Sequence, residues 1–245
     1  MAGHSKWANI KHRKAAQDKI RGKIFQKILR QLNTAVRNGG VNVETNNQLR
    51  LLIEKAKTVN MPKENIDRAL KKFSQDNNSN LNYEEIIYEG FVAGHIAVMV
   101  ECLTDNRNRT ATNVRSIFNK AKGTLGVTGS VRYLFTRVGL LIFTNKMVSV
   151  DEVFEWALEI AAIDVNNDEG TFIITTTVDR FWITKTFLES KGVTAFDVSE
   201  IIFQPNKTVS LENEIAIEQF WQLINSLEAD DDVQNIYYNF VEDDN

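Results

Sequence analysis

"SQDNNSNLNYEEIIYEGFVAGHIAVMVECL", residues 74–103, is where the chain changes character. Its first nine residues, 74–82, are polar and lack any hydrophobic period, so they read as a linker. The rest gives two strand-like runs, "NYEEIIYEG" and "HIAVMVECL", with Gly90 and Gly94 at their connection. Before this stretch the chain reads as a polar arm followed by helices, and after it the pattern mixes strands with helices.

Upstream, residues 1–18 form a polar arm whose only large apolar groups are Trp7 and Ile10. A helix pattern runs from Lys19 to Asn38 and is stopped by Gly39-Gly40. A second runs from Asn46 to Val59, with Leu49, Leu52, Ile53 and Ala56 at three- and four-residue spacing. Pro62 opens a third through Ile66, Leu70 and Phe73. Downstream, "TATNVRSIFNKAK" is helical, and "SVRYLF" and "GLLIF" are strands. Ser149 and Glu152 make a capping box before "VFEWALEIAAI". "TFIITTTV" reads as strand, "DRFWITKTFLESKG" as helix, and "SEIIF" as strand ending near Pro205. "LENEIAIEQFWQLINSLE" is a long amphipathic helix and "VQNIYYNF" a last strand. The class this predicts is α+β, with sheets covered on one face by helices.

The charge changes sign at the same linker. Residues 1–75 carry 17 Lys or Arg against 5 Asp or Glu, a net +12. Residues 76–245 carry 12 against 27, a net −15, which together recover the −3 of the whole chain. Such a split predicts a polyanion partner for the basic part. A single cysteine, Cys102, precludes an internal disulfide and fits a reducing, cytoplasmic compartment. There is no apolar run of about 18 residues and no apolar signal segment, so no membrane association is expected. The basic start is Lys-rich, unlike the Arg- and Ser-rich composition of a transit segment.

On a helix of about 100° per residue, Lys19, Lys23, Lys27, Arg30 and Arg37 fall within an arc of about 80°. Ile20, Ile24, Phe25, Ile28, Leu29, Leu32 and Val36 fill the other side. An ordinary solvated face intersperses Glu with Lys, because like charges four apart repel. This one has no acid between Asp18 and Glu44. Nucleic acid would relieve the repulsion, with condensed counterions released as phosphates are neutralised. The expected nucleic-acid contacts are Lys6, Trp7, Lys11, His12, Arg13 and Lys14 of the arm, with Lys19, Arg21, Lys23, Lys27, Arg30 and Arg37 of the helix. Trp7 either stacks on a base or packs on the helix. An anionic lipid surface is the competing polyanion, but the apolar face is needed for packing the three helices. On this reading, neutralising Lys23, Lys27 and Arg30 leaves folding nearly intact.

Five stretches carry a resemblance: "AGHSKWANIKHRKAAQDKIRGKIFQK", "VNMPKENIDRALKK", "VECLTDNRNRT", "GSVRYLF" and "DDVQNIYYNF". In their order and spacing the chain resembles the YebC/PmpR family over essentially its whole length. The resemblance implies a transcriptional regulator, with relatives that act in translation, one of them a mitochondrial activator. It also implies three domains: a helical one at 1–75, an α+β one at 83–136 with 205–245, and a third, also α+β, at 137–204 inserted into the second. "GFVAGH", the "AKG" before "TLG", and "VNVE" after Gly39-Gly40 depart from the family's usual turns and affect loop shape.

Other constellations are weaker. In "TDNRNRT", residues 104–110, the Asp and Asn residues suit turns and caps. Arg107 and Arg109 would contact phosphate or lock an acidic partner. "GTLGVTG", residues 123–129, lacks the Lys-Ser/Thr of a phosphate loop and reads as a tight turn. Cys102 and His95 fall on opposite strand faces, which makes Cys102 a buried structural residue. His4 and His12 have no further ligand beyond Asp18, so no metal or other cofactor is expected. No acid pair or triad marks a catalytic residue. The acidic clusters "LEADDD" (227–232) and "VEDD" (241–244) are solvated surface, repel nucleic acid from that side, or bind a basic protein partner. The expected function is a non-enzymatic nucleic-acid-binding regulator of gene expression, acting on DNA in transcription. The alternatives are a factor bound to RNA within the ribosome, and an enzyme with an unrecognised site between domains.

Overall fold

The computed structural model describes residues 21–75, 83–93, 95–145 and 148–242. These divide into two compact units, residues 21–135 with 205–242 and residues 136–204.

The first unit begins with three helices, α1 (Arg21–Gly39), α2 (Asn47–Thr58) and α3 (Lys63–Gln75). The apolar face of α1 buries Ile28, Leu32 and Val36 in one core with Leu49, Leu52, Ala56, Met61 and Ile66. Asn46 joins the first two helices. Its amide donates to the carbonyls of Ala35 and Gly40, both at 2.8 Å, while its oxygen caps α2 at the Leu49 N–H, 3.0 Å away.

Four strands follow in this unit: β1 (Glu84–Val92), β2 (Ile96–Thr104), β3 (Thr124–Leu125) and β8 (Val233–Tyr238), ordered β3-β1-β2-β8. All three pairings are antiparallel. Helices α4 (Arg107–Lys120) and α7 (Glu214–Ala229) bury Val114, Phe118, Phe220, Leu223 and Leu227 in one core with Val98, Val100 and Cys102 of β2 and Ile236 and Tyr238 of β8. Phe118 reaches the sheet because Gly90 has no side chain. A Cβ there would lie 2.5 Å from a Phe118 ring carbon and 2.6 Å from the Thr124 carbonyl oxygen. Gly90→Ala is therefore expected to lower stability by about 1–3 kcal/mol through overpacking. Urea unfolding measures this, and an unchanged midpoint would refute the close approach.

Between β3 and β8 the chain builds the second unit from β4 (Phe135–Thr144), α5 (Val150–Glu159), β5 (Asp164–Asp168), β6 (Thr171–Thr176), α6 (Phe181–Ser190) and β7 (Val198–Pro205). Its sheet order is β5-β6-β4-β7. The Ser149–Glu152 capping box is present in full. Both units mix helices with antiparallel strand pairs, so the fold is α+β.

Two local expectations are corrected, and one strand appears that the sequence does not signal. α4 starts at Arg107, not near Thr110, because Asn106 caps it by accepting from the Arg109 N–H at 3.0 Å. "SVRYLF" is not a strand throughout. Residues Arg132–Leu134 form a 3-10 turn, and the strand begins at Phe135. The cause is the buried Glu89, whose carboxylate accepts from the N–H groups of Gly129, Val131 and Arg132 at 2.8–2.9 Å and holds the chain curled. "DVNND" is a strand with no hydrophobic alternation, held by main-chain pairing to β6.

Candidate nucleic-acid interface

Helix α7 ends in an electrostatically awkward way. Its last turn contains no base, and "DDD" follows Ala229 at once. The end of a helix carries partial negative charge from unpaired carbonyls, so acids there are unfavourable and cations are wanted. Helix α1 supplies them. Lys23 Nζ donates to the Ala229 carbonyl at 2.8 Å, and Lys27 Nζ to the Glu228 carbonyl at 3.0 Å. Arg30 Nη1 donates to the Asp231 carbonyl at 2.9 Å and to the Asp232 carboxylate at 3.0 Å. Lys23 also lies 3.7 Å from the Asp231 carboxylate. Burial pushes the Lys27 ammonium below its ordinary pKa, against the opposing pull of Glu228, Asp230 and Asp231.

The expectation that Lys23, Lys27 and Arg30 can be neutralised with folding nearly intact is thereby corrected. The self-repelling cations of α1 and the acidic end of α7 neutralise each other. Asp232 is the centre of this contact, with only 5% of its side chain exposed. Besides Arg30 it accepts from Arg109 Nη2 at 2.8 Å, Thr110 Oγ1 at 2.7 Å and Thr104 Oγ1 at 3.3 Å. Burial alone would raise its pKa. The hydrogen bonds from Arg109, Thr110 and Arg30 outweigh that and hold the carboxyl below the usual range. Sequence reasoning missed Asp232, although an acid-rich helix end with no nearby base was a legible signal that a cation must come from elsewhere.

Arg107 and Arg109 lie in the first turn of α4, where a helix favours anions. Both are paired within the chain. Arg107 bonds Glu84 at 3.0 Å, and Arg109 bonds Asp105 at 2.9 Å as well as Asp232. The bonds to Asp232 and Asp105 raise the Arg109 pKa. Here both arginines hold acidic residues of their own chain.

Lys6, Trp7, Lys11, His12, Arg13, Lys14 and Lys19 lie outside the described residues. Arg21 opens α1, and Arg37 is exposed in its last turn. Further cations stand on α2 and α3: Lys57, Lys63, Arg68, Lys71 and Lys72 are exposed, with no ion-pair partner among the described residues. Within the "GTLGVTG" turn, Glu89 takes the Gly129 N–H with its carboxylate and the Gly126 N–H with its carbonyl, both at 2.8 Å, so neither is left for a phosphate. Cys102 is buried and its thiol is pushed far above the ordinary range, first by burial and then by Asp230 and Asp232. Among the described residues no group of three or more His, Cys, Asp or Glu could hold a metal. No described helix is long and apolar enough to cross a membrane.

Comparisons with known proteins cover both units. Residues 5–76 match a family described as "TACO1/YebC protein N-terminal domain", and residues 83–240 match "TACO1/YebC second and third domain". A "Probable transcriptional regulatory protein" of Geobacillus thermodenitrificans is 48% identical over 244 residues, spanning 99% of this chain and 98% of that one. The "Probable transcriptional regulatory protein YrbC" of Bacillus subtilis is 46% identical over 244 residues, spanning 98% and 99%. A crystal structure titled "Conserved Hypothetical Protein Aq1575" from Aquifex aeolicus superposes with a TM-score of 0.81 at 42% identity, covering 93% of each chain.

Proposed function

The chain belongs to the TACO1/YebC family, and from that premise we propose that it is a non-enzymatic, nucleic-acid-binding regulator of gene expression that acts on DNA in transcription. The observation that carries the reading is charge segregation on a folded helical unit. Residues 21–75 hold 12 Lys or Arg against 4 Asp or Glu. Lys57, Lys63, Arg68, Lys71 and Lys72 remain exposed after the α1 stripe has been taken up by α7. Surface cations that outnumber the neighbouring acids, here Glu64 and Asp67 on α3, raise the local potential and attract a polyanion. We assign the phosphate contacts to these residues, to the cations of the arm and to Arg37. The names of the relatives favour DNA as the polyanion.

The test is binding of the full chain to short labelled DNA and RNA duplexes over a salt series. Five or more phosphate contacts predict that affinity falls by orders of magnitude between about 50 and 200 mM salt. Binding insensitive to salt would refute the assignment. Clear preference for RNA would move the reading to a ribosome-associated factor, which uses the same phosphate contacts.

A further inference from the structure

The acidic segment of the chain contains an acid-free run. Between Asp105 and Asp151 there are eight Lys or Arg and no Asp or Glu. The first two, Arg107 and Arg109, are consumed by ion pairs. Arg115, Lys120 and Lys122 are exposed, with no ion-pair partner among the described residues. They sit on or just past α4. Thr112, Arg115, Ser116, Asn119 and Lys120 line one open concavity on a single helix face, as spacings of three and four residues require. The Thr112 hydroxyl is taken by the Asn108 carbonyl at 2.9 Å, which leaves the cations, the Ser116 hydroxyl and the Asn119 amide as the donor set for phosphate and sugar oxygens. The opposite face carries Val114 and Phe118 into the core, so the donors stand on a rigid support. Lys122, at φ +55, takes the left-handed position that closes α4.

We propose that the Thr112–Lys122 face of α4 is a phosphate-backbone contact surface for nucleic acid, separate from the cations of α1–α3. The proposal rests on the nucleic-acid reading above and extends it to the sheet-bearing part of the same unit. Charge complementarity selects the occupant: a regular polyanion meets Arg115, Lys120 and Lys122, while the Ser116 hydroxyl and the Asn119 amide take the neighbouring sugar and phosphate oxygens.

The experiment neutralises Arg115, Lys120 and Lys122 to Gln in the full chain. Binding is titrated against salt with the same DNA and RNA duplexes, and the thermal midpoint confirms folding. A comparator neutralises Arg180, Lys191 and Lys207, removing the same net charge elsewhere. The α4 variant is expected to bind about tenfold to a hundredfold more weakly and to lose about two to three units of the log affinity against log salt slope. The comparator should keep the wild-type slope. An α4 variant with wild-type affinity and slope overturns the proposal but leaves the nucleic-acid reading standing. A comparator that loses as much as the α4 variant also overturns it, since the effect is then net charge alone. A wild-type chain that binds neither duplex overturns both. Polyglutamate that displaces the duplexes at equal charge concentration would assign the face to an acidic protein and overturn it as well.

Discussion

Changing Lys23, Lys27 and Arg30 together to glutamine is expected to destabilise the first unit by about 2–4 kcal/mol, the opposite of what their clustering on one polar helix face suggests. Each makes a charge-assisted hydrogen bond to the α7 end, at 2.8–3.0 Å. Such bonds contribute about 1.5–3 kcal/mol apiece when well enclosed. The sum is discounted because Lys23 is 44% exposed and Arg30 26%, where solvent screens the charges. Part of the loss is the end of α7 itself, whose carbonyls would then face three carboxylates with no cation between. Denaturant unfolding of the triple variant measures the effect. A midpoint equal to wild type would mean that the α1–α7 contact adds nothing to stability. A charge-restoring check is Lys23→Arg, which should retain most of the stability.

Asp232→Ala should cost a similar amount, about 2–4 kcal/mol, by leaving Arg30 and Arg109 facing each other without their shared anion. It also strips Thr110 of its 2.7 Å acceptor. The acid limb of the stability curve gives a second readout. The folded pKa of Asp232 lies below its unfolded value, so its contribution is complete above the ordinary carboxylate pKa of about 3.9 and is lost as pH falls through the folded value. Asp232→Asn, which cannot titrate, should lower stability at neutral pH and flatten that acid limb. An Asn variant with the wild-type acid dependence would show that Asp232 does not couple folding to protons.

Local signals in the sequence determined a good deal. The three basic helices, the capping box at Ser149, the α+β pattern and the long final helix were all readable, because periodicity, caps and glycine stops act within a few residues. "DVNND" was not readable as strand, since it owes its conformation to pairing with β6 and not to its side chains. Nor was the 3-10 turn at Arg132–Leu134, which depends on a carboxylate at Glu89, more than forty residues earlier. The largest difference concerns charge. Sequence alone established that an acid-free cationic face on α1 needs a polyanion. Only the tertiary structure decided that the chain provides one itself, in the turn after α7, some 200 residues along the chain. A local pattern can show that a charged face is unfavourable by itself. Which opposite charge relieves it depends on the packing that brings distant segments together, and that packing leaves Lys57, Lys63, Arg68, Lys71 and Lys72, with Arg115, Lys120 and Lys122, as exposed cations without an ion-pair partner among the described residues.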